Sequence, residues 1–289
     1  MNSKPYIERL FASEGLIDKF PGGSDSNEFW IWLNTEGIER FSEVKDALAP
    51  FPHSDLMQIV SGMTSEIEFA RSGSKIFRCL TEVLQLYGCS WNNFSRILDF
   101  ACGCGRVSRL LQKYADQCEI VGSDINQDHI SWLNDHLGFG KFYKNGSVPP
   151  SPFDSGHFDL VFCISLFSHL NESAHLLWLE ELRRITQRDK ILVLTTHGQR
   201  ALEVLNLRPD ICSKIGLSEL QLNEAREKMS SDSYAFIRQE DSYIDKDSYG
   251  FTFIPTAYVR RVWSRYFTVL GVEHGAIENW QDAVVLRPL

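Results

Sequence analysis

No stretch of this sequence approaches the roughly 20 consecutive apolar residues of a membrane-spanning helix, so no membrane partner is expected. The opening run MNSKPYIERLF has no long apolar core, which predicts no secretory signal. Positive charge is also short: 29 Lys and Arg face 38 Asp and Glu, a formal net charge of −9. That balance argues against a broad basic surface for nucleic acid, though not against a local groove. The 7 cysteines have no framework spacing, which suits a reducing cytoplasm. Cys102 and Cys104 lack the two-residue gap and second ligand pair of a zinc site, so no metal is expected. There is no internal repeat and no low-complexity run.

What is present is a chain of 289 residues, 43% hydrophobic and 12% aromatic, long enough for one large domain or two smaller ones. Its most informative segment is Ile97-Leu-Asp-Phe-Ala-Cys-Gly-Cys-Gly105. It reads as a short buried strand with an acid, Asp99, near its tip, then a turn of small residues ending in Gly103 and Gly105. Such a turn lets a ligand approach the backbone, and the following helix points free N–H groups at it. A second acid, Asp124, ends the next apolar run, where a carboxylate can accept from ribose hydroxyls. A dinucleotide fingerprint needs a third glycine, and Ser108 stands there instead. An acid before the turn and an acid after the next strand suit a ligand with an amino acid at one end and adenosine at the other. S-adenosylmethionine is such a ligand. Each acid also has a plainer reading as a helix cap.

The rest of the chain predicts an α/β architecture. Strands are expected at Arg96–Phe100, Cys118–Ser123, Lys141–Lys144, Phe158–Ile164 and Lys190–Thr196, with helices at Val107–Tyr114, Gln127–Leu137 and Ser173–Thr186 between them. Alternating strand and helix implies a doubly wound, mostly parallel sheet. A helix is expected over residues 75–87, from the face formed by Ile76, Leu80, Val83 and Leu84. Residues 1–74 read as a helical, aromatic-rich region able to serve as a lid or a homodimer element, ahead of a ligand-binding domain over 75–289. Residues 201–250 read as a polar insertion after the fifth strand, helical near Ser218–Met229 and acidic from Glu240 to Asp247. The tail predicts a helix over Thr256–Tyr266 and strands near Phe267–Glu273 and Ala283–Arg287.

ILDFACGCGR, IVGSDI, FDLVFCISLFSHL and ILVLTTHG, in that order and spacing, resemble the successive motifs of class I S-adenosylmethionine-dependent methyltransferases. The resemblance is good over about residues 75–200 and fair over the tail. It implies a Rossmann-like sheet of about seven strands closed by an antiparallel hairpin, with an insertion that helps form the substrate pocket. Ala101 stands where the family often has its first glycine. By the same resemblance Gly103 and Gly105 line the methionine and ribose of the cofactor, Asp124 binds the ribose, and Ile125 packs on the adenine. Asn145-Gly146 lies near the adenine edge or forms a simple Asn-Gly turn. Cys163 and Ile164 border the methionine moiety. Arg71 either clamps the cofactor carboxylate or is a solvated surface arginine.

Methyl transfer requires alignment, exclusion of water and, for a hydroxyl acceptor, removal of a proton. His169 and His197 stand just beyond the fourth and fifth strands, at the sheet end where ligands of such folds bind. Either can serve as the base; the plainer readings are a loop-anchoring hydrogen bond for His169 and packing beside Gly198 for His197. Tyr258, Trp263, His274, Trp280 and Gln281 are pocket candidates without assigned roles. The motif style suggests a small-molecule acceptor, a hydroxyl of a saccharide or secondary metabolite. Nitrogen or carbon methylation, a non-catalytic S-adenosylmethionine-binding module and a nicotinamide-dependent dehydrogenase are the alternatives. The absence of an Asn-Pro-Pro-Tyr-like motif after the fourth strand disfavours methylation of planar amino groups.

Overall fold

A computed structural model describes residues 4–12, 15–239 and 247–289. The chain divides into two compact units, residues 1–144 and 145–289. The first begins with helices α1 (Lys4–Ala12), α2 (Asn27–Trp32), α3 (Ile38–Arg40), α4 (Ser42–Ala47), α5 (Ser54–Ser61) and α6 (Glu66–Leu86). Strands β1 (Arg96–Phe100), β2 (Glu119–Asp124) and β3 (Gly140–Lys144) follow, with α7 (Gln127–His136) between the last two. β2 pairs in parallel with both β1 and β3.

The second unit carries β4 (Phe158–Cys163), α8 (Glu172–Ile185), β5 (Thr186–Thr196), α9 (Gln199–Leu207), α10 (Pro209–Lys214) and α11 (Glu219–Ser230). A small hairpin, β6 (Ala235–Arg238) and β7 (Gly250–Phe253), precedes α12 (Thr256–Val262) and the long strands β8 (Phe267–Ile277) and β9 (Gln281–Pro288). β4 and β5 are parallel; β9 is antiparallel to both β5 and β8. The main sheet has seven strands in the order β3-β2-β1-β4-β5-β9-β8, the mostly parallel Rossmann-like arrangement expected. Every residue of β4 is buried, as a strand covered on both faces must be.

The structure departs from the expected elements in specific ways. The helix foreseen from residue 75 begins at Glu66, capped by Ser65, whose hydroxyl accepts from the Glu68 amide. Gly73 does not end it: a Cβ there would stand 2.3 Å from the Arg106 carbonyl, so the glycine permits close packing inside the helix. A division of the chain at 74/75 therefore falls within α6. The segment after the glycine turn is a 3-10 helix, Ser108–Tyr114, rather than an α-helix.

The helical amino-terminal region has its own core, built by Ile7, Phe11, Phe29, Trp30, Leu33, Val44 and Leu48. Its aromatics pack on one another, as in the edge-on pair Phe11–Phe41 with centroids 5.1 Å apart. The segment read as a polar insertion also has a core, in which Ala201, Leu202, Leu205, Leu222 and Met229 pack with Ile237, Phe251 and Phe253 of the β6–β7 hairpin. Most of the acidic run from Glu240 to Asp247 lies outside the described residues; only Asp247 is described. Among the described residues no helix is long and apolar enough to cross a membrane.

Candidate functional site

In the first unit the site is the turn that leaves β1. Ala101, Gly103 and Gly105 have φ of 60°, 56° and 85°, all in the left-handed region. Two are glycines for that reason; the third is an alanine held in a strained conformation. A Cβ on Gly103 would also stand 2.8 Å from Val60, on α5. The Gly105 amide donates to the Cys102 carbonyl at 3.0 Å, closing the turn.

Both predicted acids flank this turn and both are buried. Asp99 accepts the Ser108 hydroxyl at 2.6 Å. Burial pushes its carboxyl up to about 7; the Ser108 hydrogen bond opposes that rise and the Asp124 charge adds to it. Asp124 accepts the Gly103 amide at Oδ2 and the Asn126 amide at Oδ1, each at 2.8 Å. This donor set fits S-adenosylmethionine. A buried carboxyl raised by burial gains from a neighbouring ammonium, and the second carboxylate retains lone pairs for ribose hydroxyls. Ile125, just past Asp124, is 37% exposed, an apolar side chain left open beside that carboxylate.

Arg71 stands at the surface, one of the two settings open to it. It lies within α6, and its guanidinium bonds the Glu39 carboxylate at 2.8 Å, both groups about half exposed. The arginine buried near the turn is Arg109, which the sequence reading did not single out. It donates to Asn34 Oδ1 at 3.2 Å and to the Ala49 carbonyl, and stacks 3.8 Å from the Phe51 ring centroid. With no carboxylate bonded to it, burial pulls its pKa down to about 9. Arg109 ties the amino-terminal helices to the segment that follows the glycine turn.

In the second unit Asn145 donates its amide to the Gly146 carbonyl at 2.8 Å, while its Oδ1 is buried without a partner. Cys163 is fully buried at the end of β4, and Ile164 is half-buried. Ser165 then takes a left-handed backbone, φ 64°. It is held by Thr195 Oγ1, which accepts its amide at 2.8 Å, and by Gln281, which donates to its hydroxyl at 2.8 Å.

His169 and His197 come together beyond β4 and β5, with ring centroids 5.9 Å apart. They are not equivalent. His169 Nδ1 lies 2.8 Å from the Gly250 carbonyl. A carbonyl only accepts, so Nδ1 carries the proton and Nε2 carries a lone pair. Burial holds the pKa of this ring below the usual imidazole value. The other ring, His197, accepts the Trp280 indole N–H at Nε2, 3.0 Å away. Its pKa is lowered to about 3, chiefly by burial, with the neighbouring His169 adding to the effect. That bond occupies the Nε2 lone pair of His197 in this structure.

The surroundings of this pair come from the β6–β7 hairpin. Tyr249 stacks on His169 at 5.0 Å, Phe251 lies 5.6 Å from the same ring, and Phe253 lies 5.6 Å from His197. Sequence reasoning missed these three. The available signal was the alternation Gly250-Phe-Thr-Phe253 before Pro255, which marks a strand inside a segment otherwise polar.

Residues 97–189 match a family described as a methyltransferase domain. No curated protein matches the sequence. Among solved structures, a protein from Pyrococcus horikoshii OT3 is 20% identical, with 74% of this chain and 91% of that chain covered and a TM-score of 0.49. A SAM-dependent methyltransferase from Aquifex aeolicus is 14% identical, covering 83% and 100%, TM-score 0.48. Magnesium protoporphyrin IX methyltransferase from Synechocystis PCC 6803, solved with bound SAH, is 13% identical, covering 89% and 97%, TM-score 0.49. The matched segment contains β1, the glycine turn, both acids and β4. Over those residues the chain is similar to a methyltransferase domain.

Proposed function

We propose that this chain transfers the methyl group of S-adenosylmethionine to a hydroxyl of a small-molecule acceptor, a saccharide or a secondary metabolite. The observation that supports an oxygen acceptor is the state of His169. Its Nδ1 proton is committed to the Gly250 carbonyl, which leaves Nε2 as a proton acceptor beyond the carboxyl end of β4. A lowered pKa keeps that ring neutral, and so basic, at physiological pH.

The cofactor, when bound, supplies a methyl group already activated on a sulfonium. In this reading Asp99 and the backbone of Ala101, Gly103 and Gly105 hold its amino acid end. Asp124 and Ile125 hold the nucleoside. By the sequence resemblance Asn145, Gly146, Cys163 and Ile164 are further candidates for cofactor contact, and Asn145 Oδ1 is buried without a partner. His169 Nε2 takes the hydroxyl proton as the acceptor oxygen forms its bond to the methyl carbon. The bound cofactor would leave as S-adenosylhomocysteine, with the carbon–sulfur electron pair kept on sulfur. Tyr249, Phe251 and Phe253 shield the two imidazoles from water.

Calorimetry with S-adenosylmethionine and S-adenosylhomocysteine, followed by labelled-methyl transfer to hydroxyl and amine panels, tests this reading. Binding of both, with label in the hydroxyl compounds, is expected. Binding of neither overturns the cofactor assignment, and label in amines alone overturns the oxygen acceptor.

A further inference from the structure

Among the described histidines, His129 is the one whose two ring nitrogens are both buried and both without a hydrogen-bond partner. It lies in the first turn of α7 and is 3% exposed. A neutral imidazole has one donor and one acceptor, and burying both unmet is unfavourable. Its helix neighbours Ile130 and Leu133 belong to an apolar cluster, and an apolar side chain at 129 would bury no unmet polar atom.

One polar group is close. His129 Nδ1 lies 3.6 Å from Asp124 Oδ1. That exceeds the usual N–H···O range of about 2.7–3.2 Å by less than an ångström. Each carboxylate oxygen of Asp124 already accepts one backbone amide, and each keeps a further lone pair. A carboxylate that receives a ribose hydroxyl must be held in one orientation, and a further donor to its other oxygen does that.

We infer that His129 is a positioning residue for the ribose acid. In the ligand-bound protein it donates Nδ1–H to the remaining lone pair of Asp124 Oδ1 and fixes the carboxylate so that the free lone pair of Oδ2 receives a ribose hydroxyl. This rests on the proposed reading that an S-adenosyl ligand occupies the glycine turn. A histidine that merely filled the core would affect stability and leave ligand affinity alone.

The test is titration of S-adenosylhomocysteine into the full-length wild type and the variants His129→Leu, His129→Asn, Asp124→Asn and the His129→Leu/Asp124→Asn double variant, with thermal melts of each without ligand. His129→Leu is expected to melt no lower than wild type, because two unmet polar atoms are gone. It should nevertheless bind about tenfold more weakly, the loss of one hydrogen bond to a charged group. His129→Asn, which retains a donor, should recover part of the affinity. The double variant should bind no more weakly than Asp124→Asn alone, since His129 acts through that carboxylate. Wild-type affinity in His129→Leu, or losses that multiply in the double variant, would overturn the inference while the proposed function stands. If His129→Leu folds poorly, His129→Asn against wild type decides by the same comparison with the Asp124→Asn background. Failure of the wild type to bind S-adenosylhomocysteine sinks the proposed function itself.

Discussion

His169 and Gly250 hold each other twice. The Gly250 amide donates to the His169 carbonyl at 2.7 Å, and the His169 ring donates from Nδ1 to the Gly250 carbonyl at 2.8 Å. The Thr252 amide adds a third tie, to the Ser168 carbonyl at 2.8 Å. The loop after β4 and strand β7 thus behave as one piece, and the tautomer of His169 is set by backbone atoms that no side-chain substitution removes.

The first prediction follows from that lock. Replacing His169 with Gln or Ala should lower turnover by about 10²–10⁴, the usual contribution of a positioned base. Affinity for S-adenosylhomocysteine should stay within about twofold, since the side chain has no part in holding the cofactor. The pH profile carries the sign. The base works when neutral, so wild-type turnover should be level through neutrality and decline only below the ordinary imidazole value of 6.5, because burial lowers the pKa. Near-normal turnover in either variant removes His169 from the mechanism.

The indole bond of His197 leads to the opposite expectation. Trp280→Phe deletes the donor and leaves a buried ring nitrogen unmet, which should cost about 1–3 kcal/mol. His197→Asn should be destabilising for a related reason, the loss of a buried ring packed between Phe253 and Trp280. In both variants, turnover at a temperature where the protein is fully folded should fall much less than in His169→Gln. A collapse of turnover in stably folded His197→Asn would restore that histidine to the chemistry.

Asp99 makes a prediction about stability and binding together. Its folded pKa is near 7, raised from 3.8 by burial. The folded state therefore holds its proton where the unfolded state has lost it. Stability conferred by that proton is fully present below about pH 4 and is lost as pH rises to 7. The size is about 4 kcal/mol at most, from roughly three pKa units. Ligand-free protein should accordingly melt lower at pH 8 than at pH 6, and Asp99→Asn should flatten the difference. Affinity for S-adenosylhomocysteine should move the other way, strengthening as pH rises through 7 and Asp99 ionises to meet the ammonium. A ligand affinity independent of pH in that window would separate Asp99 from the amino acid end of the cofactor.

What could be read from the chain and what could not divide along physical lines. β1 occupies the very residues expected, and β4 differs by a single residue, because short apolar-rich runs bounded by turn residues are local signals. The two acids and the glycine turn were legible for the same reason. The β6–β7 hairpin was not, because its strands are short and its attachment to residues 168–170 joins segments some eighty positions apart. The start of α6 was obscured by Gly73, whose reason is a contact with Arg106 that no window of sequence contains. Arg109 was hidden likewise: its partners Asn34, Ala49 and Phe51 lie in a region whose placement depends on tertiary packing.

The left-handed backbone of Ala101 sharpens one sequence observation into a measurable quantity. Alanine stands where the family often has glycine, and the substitution matters little unless the position needs positive φ. It does, with φ at 60°. An L-residue in that region is less stable than glycine by about 1–2 kcal/mol. Glycine in turn adds about 0.4–1 kcal/mol of chain entropy to the unfolded state. The difference favours Ala101→Gly by roughly 0.5–1 kcal/mol, measurable by urea denaturation as a shift in midpoint with unchanged slope. Because the turn geometry is already the one glycine prefers, affinity for S-adenosylhomocysteine should change little. A loss of stability in Ala101→Gly would mean that the alanine methyl packs to an extent that outweighs its strain.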